Sequence, residues 1–259
     1  MNPLNLVTVI GTISIRATAE VGRISMFLFK TFMETFGRPF YFSAYLKQCE
    51  SLGFNSLPIV LLTSFFTGGV LALQTYNGFN SDALASTQLG AVVSASMLRE
   101  LGPVLAALMV AGRVGAAMAA EIGTMRVTEQ IDALVTLATN PMKFLVVPRV
   151  LACLTMMPLL VIIANCMGIF GGSVVAGNVL NLNPHMSFQS AFGAIGNEDI
   201  TIGLVKAATF GTIIGVMGCY HGYNSKGGAE GVGRATTVAV VYASVSILIS
   251  DYFITALMM

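Results

Sequence analysis

The chain has 259 residues, 55% of them hydrophobic and only 10% charged, and its mean hydropathy is +0.80. A soluble domain carries roughly 25% charged residues, so the composition excludes one and points to a polytopic membrane protein. Lys and Arg number 13 against 12 Asp and Glu, a net charge of +1; this excludes a bulk attraction to nucleic acid and leaves only the placement of charge to inform. Cys49, Cys153, Cys166 and Cys219 lie far apart in or beside apolar stretches. They lack the close pairing of zinc sites and disulfide frameworks and read as packing residues, so neither a metal nor a cofactor is expected.

Residues 1–36 contain no long apolar run. Arg16, Glu20, Arg23, Lys30 and Glu34 recur there at helical spacing among apolar residues, which predicts an amphipathic helix lying in the membrane interface with its charged stripe toward water. No small-residue cleavage site follows a short apolar core, so the segment is not read as a signal peptide. Gly37-Arg38-Pro39 is a helix breaker, and a short segment with Lys47 and Glu50 completes an N-terminal region over residues 1–50.

Residues 51–259 read as a five-span, all-α domain, since each of five apolar segments supplies the roughly 20 residues a bilayer requires. The first centres on residues 57–73. The second, residues 89–120, is interrupted by Arg99, Glu100 and Arg113; the third is a charge-free stretch after Arg149 that ends near Gly177; the fourth covers residues 200–221 and the fifth residues 235–259. A polar outer loop over residues 177–199 carries Asn178, Asn181, Asn183, Pro184 and His185. With the N-terminus cytoplasmic, the inner loops receive Arg16, Arg23, Lys30, Arg38, Lys47, Arg113, Arg126, Lys143, Arg149, Lys226 and Arg234, and the outer loops receive no Lys or Arg. That asymmetry predicts a cytoplasmic N-terminus and a periplasmic C-terminus.

The orientation places intramembrane charge by depth. At about 1.5 Å of rise per residue, Arg99 lies roughly 15 Å below the outer end of its span, Lys206 roughly 9 Å and Asp251 roughly 12 Å. Arg99 with Glu100 and Lys206 with Asp251 form a neutral quartet in one layer. A charge near the bilayer centre costs on the order of 3 kcal/mol, so such residues face a partner or a wet cavity. Two roles stay open: an ion-pair network that locks the bundle, or the border of a substrate cavity. Pro103 favours the cavity, because it cannot donate to the Arg99 carbonyl and kinks the helix beside the charges. GxxxG spacings at Gly168 and Gly172, Gly211 and Gly215, and Gly218 and Gly222, with small residues around Gly112 and Gly115, predict close helix packing.

After the second span, residues 121–137 place Met125, Ile131, Leu134 and Leu137 on one face of a helix, with Arg126, Glu129, Gln130 and Asp132 on the other. Thr124 is the expected cap and Asn140-Pro141 the expected stop. Such a helix either docks into a groove of a soluble partner or rests on the membrane surface. Catalytic readings are weak. Gly228-Ala-Glu-Gly-Val-Gly233 has P-loop-like glycine spacing but is followed by Arg234 and Ala235 instead of Lys and Ser or Thr; Ser173 with His185 or His221 would be a poor nucleophile and base. A proton-coupled secondary transporter using Glu100, Lys206 and Asp251 is the stronger alternative, because ionisable residues in spans also mark proton relays.

Leu98-Arg-Glu-Leu-Gly-Pro103, Ala111-Gly-Arg-Val-Gly115, residues 120–134 and Gly233-Arg-Ala-Thr-Thr237 together resemble the MlaE family of bacterial ABC-transporter permeases. The resemblance implies a homodimer in the Gram-negative inner membrane that moves phospholipid between the two membranes and maintains outer-membrane lipid asymmetry, with an outward-open lipid cavity. It implies a cytoplasmic ATPase docked on the helix over residues 121–137, which includes Glu121, and a periplasmic ring of MCE-domain subunits. On the same basis Arg99, Glu100, Lys206 and Asp251 correspond to the family's intramembrane charges, and Leu71, Gln74 and Tyr76 to cavity-lining positions. The polar, uncharged outer loop over residues 181–185 departs from some relatives.

Overall fold

In hydrocarbon every backbone polar group must be satisfied within its own segment, so apolar runs of this length fold as helices. The computed structural model describes residues 3–37, 41–79 and 81–258 and is helical almost throughout. In order the helices are α1 Pro3–Thr35, α2 Phe42–Tyr76, α3 Asp82–Ser96, α4 Gly102–Val110, α5 Ala116–Val127, α6 Gln130–Thr136, α7 Val147–Asn178, α8 Pro184–Gly193, α9 Asn197–Tyr223 and α10 Gly228–Met258. Three π-helical turns, Met97–Leu101, Ala111–Gly115 and Met142–Val146, join α3 to α4, join α4 to α5, and lead into α7. Five stretches are long and apolar enough to cross a membrane: α2, Leu84–Val127, Met142–Asn178, α9 and α10. The protein is thus a multi-pass membrane protein.

Several boundaries differ from the sequence reading. Lys47 and Glu50 belong to α2, which runs unbroken for 35 residues through Pro58. At roughly 52 Å it is long enough to carry both charges beyond a hydrocarbon layer of about 30 Å. The third span starts at Met142, so Arg149 lies inside its helix, buried, where it donates to the Leu145 carbonyl and to Glu121. The fourth takes in Glu198 and Asp199, and the fifth starts at Gly228, so the P-loop-like glycines are the opening turns of a helix. Of the N-terminal breaker, Gly37 follows α1 in a bend, while Arg38 and Pro39 lie outside the described residues.

The charged stripe of α1 does not all face water. Tyr220 Oη donates to Glu20 (3.0 Å) and Asn140 Nδ2 donates to Glu34 (2.8 Å), while Phe27 packs edge-on against Tyr220. A buried tyrosine and an exposed asparagine capture these two carboxylates, so α1 is fastened to α9 and to the turn before α7 by its acidic residues. Arg23, paired with Glu20, and the Tyr220 hydroxyl hold the Glu20 carboxyl below its ordinary value of 4.5, against the opposing effect of burial.

Packing is a row: α2 lies against α7, α7 against α9 and α9 against α10, with α3, α4 and α5 crossing the row. Backbone approach sets the spacing. A Cβ on Gly68 would fall 1.9 Å from the Gly168 carbonyl oxygen, so α2 and α7 touch backbone to backbone. Gly168 and Gly172 face Met97 and Val93 of the second span as well as α2, Gly211 and Gly215 face α7, and Gly218 and Gly222 face α5 and the π turn before it; the predicted small-residue faces close within one chain. Gly112 departs from that pattern, with open space where its side chain would be. The outer loop is also more than a loop. Asn183 caps α8 by accepting from the His185 amide, and α8 folds back so closely onto α3 that a Cβ on Gly90 would strike the Ser187 carbonyl. Ser94 Oγ donates to the Ala191 carbonyl at 3.1 Å across this contact.

Candidate functional site

Local sequence builds the site from the second span. Pro103 has no N–H, so the Arg99 carbonyl loses its helical donor, and the turn Met97–Leu101 is π-helical immediately before it. Lys206, in the middle of α9, supplies the missing donor: its Nζ lies 2.9 Å from the Arg99 carbonyl oxygen. The same ammonium donates to Glu100 Oε2 at 2.7 Å and lies 2.8 Å from Asp251 Oδ1, as an ion pair outside hydrogen-bond angles. Thr255, one turn after Asp251 on α10, donates to Glu100 Oε1 at 3.1 Å. Lys206 is 0% exposed and ranks among the largest fully buried side chains. One cation therefore ties α9 to α10 and to the π turn, and Pro103 leaves the helix continuous with its freed carbonyl occupied.

The pairing differs from the sequence reading in one member. Lys206 and Asp251 meet, but Arg99 turns away from Glu100 and pairs with Asp199 in the first turn of α9. Adjacent residues on a helix point about 100° apart, so Arg99 and Glu100 reach different partners. Asp199 is the residue the sequence reading missed. It is buried and accepts from the Gly196 amide at 3.1 Å. Its signal was available: an acid at the start of a span, seven residues before Lys206, shares the face of Lys206. With Asp199 included, the five charges sum to minus one instead of zero.

Leu71 and Tyr76 pack on a second apolar cluster around Leu89, Val93 and Met97, while Gln74 is exposed. Their neighbours are α3 and α7, so the structure sets them beside the π turn through Met97, not around Lys206.

At the other end of the second span the polar helix comes in two pieces. α5 ends at Val127 and α6 begins at Gln130, with Glu129 between them in the left-handed region (φ 59°). Thr124 is inside α5 and does not cap; α6 has no side-chain cap. The corner is held by Arg126 Nη1 donating to Asp132 at 2.6 Å, and Glu121 is tied to Arg149 at 3.0 Å. Ile131 is buried, Met125 and Leu134 pack on the core, and Leu137 projects outward because α6 has already ended. Glu129, Gln130, Asp132, Val135 and Leu137 form the outer surface of this corner. Asn140-Pro141 starts the next helix instead of stopping this one: the Asn140 side chain accepts from the Met142 amide at 3.1 Å. As for the imagined hydrolase, the Ser173 hydroxyl is spent on the Ile169 carbonyl of its own helix.

Residues 45–257 match the profile of the family described as Permease MlaE. A probable ABC transporter permease protein of Rickettsia bellii is 50% identical over 254 residues, covering 98% of each chain. The intermembrane phospholipid transport system permease protein MlaE of Haemophilus influenzae is 36% identical over 259 residues, again 98% of each chain. The chloroplastic protein TRIGALACTOSYLDIACYLGLYCEROL 1 of Arabidopsis thaliana is 37% identical over 211 residues, which cover 82% of this chain and 60% of the plant protein. Matched by the family profile over residues 45–257 and by the bacterial relatives over 98% of its length, the chain belongs to the MlaE permease family.

Proposed function

We propose that this permease moves phospholipid across or out of the inner membrane as the transmembrane, non-catalytic subunit of an ABC transporter, maintaining outer-membrane lipid asymmetry. The observation that carries the reading is Lys206: a fully buried ammonium inside a span, holding Glu100, Asp251 and a π-turn carbonyl. Buried charge at this density is costly in a bilayer and is retained where it shapes a pathway. The cluster ties α10 into the bundle, and the outward side of α10 is strongly apolar, with Tyr252, Phe253 and Leu257 exposed. That surface suits pairing with a second copy around an outward-open lipid cavity, with Arg99, Glu100, Lys206 and Asp251 in its wall and Leu71, Gln74 and Tyr76 near its rim. The corner of α5 and α6 suits docking of a cytoplasmic ATPase, with Glu129 and Asp132 offering charge and Leu137 an apolar knob. A periplasmic MCE-domain ring receives the lipid on the outer side. N-terminus inside, C-terminus outside is the orientation that goes with this assembly.

Reconstituted assembly with fluorescent phospholipid tests the reading. Glu100→Gln and Asp251→Asn lower ATP-dependent lipid movement at least tenfold while the dimer persists on gel filtration; unchanged movement in both variants overturns the cavity role. Glu129→Lys releases the ATPase in a pull-down from a folded permease. Transport that survives without the ATPase and collapses with the proton gradient replaces this reading with a proton-coupled transporter.

A further inference from the structure

A cavity of about 390 Å³ lies between α7, α8 and α9, on the reverse side of the π turn that carries Arg99 and Glu100. Its walls are Ile162, Cys166 and Ile169 of α7, Ile200 and Leu204 of α9, and Leu98 of the π turn, and α8 roofs it with Phe188 and Phe192, whose ring centres lie 4.7 Å apart with the planes tilted at 47°. Asn165 is the one amide in the lining. It is 6% exposed, and its Oδ1 has no hydrogen-bond partner among the described residues. That oxygen is pressed against the backbone of Gly102, where a Cβ would fall 1.7 Å from it, so Nδ2 is the atom through which Asn165 reaches the cavity.

We infer that this cavity binds a single acyl chain of a membrane phospholipid, with Asn165 Nδ2 donating to the chain's ester carbonyl, at a site separate from the Lys206 cluster. The walls are aliphatic and aromatic, so water gains too few partners to fill the space. Ile162, Phe188, Phe192 and Ile200 are 40–55% exposed, so the cavity opens sideways to the bilayer, where acyl chains are the molecules that surround it. A methylene is close to a water molecule in size, so the cavity volume holds on the order of a dozen of them, the greater part of one acyl chain. Leu98 precedes Arg99 and Ile200 follows Asp199, so two walls of the cavity are continuous in sequence with the Arg99 and Asp199 pair. Gly203 packs its backbone on the Leu98 carbonyl, where a Cβ would fall 2.6 Å away. A chain seated here therefore braces the π turn from behind.

The test uses the full chain in nanodiscs with a phosphatidylcholine that carries a diazirine near the end of its sn-2 chain. Crosslinks mapped by mass spectrometry are expected on peptides holding Cys166 and Phe192, several-fold above those on the outward face of α10 at Tyr252 and Phe253. Cys166→Trp fills the cavity and removes the first set about tenfold while leaving the second unchanged. Leu204→Phe repeats the measurement should Cys166→Trp fail to fold. Asn165→Leu lowers the yield a few-fold with the phospholipid but not with a diazirine-bearing alkane that has no ester. Labelling at the cavity no higher than on α10, or unchanged in both filling variants, shows bulk lipid only and overturns the site. An equal effect of Asn165→Leu on both probes overturns the ester contact. Because the readout is occupancy and not transport, failure here leaves the transport role standing.

Discussion

Two polar regions of this chain use nearly the same contact. Lys206 lies 2.7 Å from Glu100 and 2.8 Å from Asp251, and Arg126 lies 2.6 Å from Asp132. Their central cations differ in surroundings: the Lys206 side chain is 0% exposed within a span, whereas Arg126 and its partner Asp132 are 37% and 59% exposed at the corner that ends the second span. Water screens the second pair and leaves it little net energy. In the first, the shared cation is the buried member, with Glu100 and Asp251 37% and 20% exposed, so removing a carboxylate leaves a buried ammonium short of a partner. The distances alone would rank the two regions as equals; burial of the shared cation separates them.

The sharpest way to break the comparison is Lys206→Met. It leaves Glu100, Asp251 and the Arg99 carbonyl without their shared donor and destabilises the folded chain by about 3–5 kcal/mol, measured by unfolding in detergent. The triple variant Lys206→Met, Glu100→Gln, Asp251→Asn recovers most of that loss, which would show the cost to be stranded charge and not lost volume. Next comes Gly68→Val, which forces α2 away from the Gly168 carbonyl and loses about 1–3 kcal/mol by overpacking. It touches no charge, so it calibrates what packing alone contributes.

Glu20→Gln weakens the α1 contact to Tyr220 by about 1 kcal/mol, the size of one hydrogen bond, seen as faster proteolysis of α1. The pH dependence follows from the depressed Glu20 carboxyl. Its contribution is fully present above 4.5, the ordinary value, and is lost as pH falls through the lower value of the folded chain; the Gln variant flattens that acid limb. Smallest is Arg126→Ala, at under about 1 kcal/mol, an effect that fades further in high salt. A large loss from Arg126→Ala would erase the contrast between the two regions.

The spans were legible because lipid imposes a length and a hydropathy that few sequences meet by accident. Glu100, Lys206 and Asp251 were legible because three spans each carry charge and the rise per residue brings those charges to one height. Asp199 was legible but easily passed over: it stands beside the outer loop, where an acid is unremarkable, and only its seven-residue spacing sets it on the face of Lys206. The break at Glu129 was hidden, since a glutamate in the left-handed region carries no signal of the kind a glycine would give. α8 was unreadable for a different reason. Its Asn183-Pro184 start is a helix signal, but what folds it back on α3 is the absent side chain of Gly90, a contact between residues almost a hundred positions apart.

The π turn Met97–Leu101 also fixes the chain's tolerance to changes in length. A π turn closes on i→i+5 bonds and so holds one residue more than an α turn over nearly the same rotation; removing one residue from it returns the second span to unbroken α-helix with α3 and α4 still in phase, whereas removing one from α3 turns what precedes it by about 100° relative to α4. After the deletion in the π turn Gly90 would keep α8 and Ser94 would keep Ala191, while Lys206 would lose the carbonyl that the π turn presents to it. This stretch is therefore where the span absorbs a one-residue deletion, with the cost falling on the Lys206 contact and not on the alignment of its two ends.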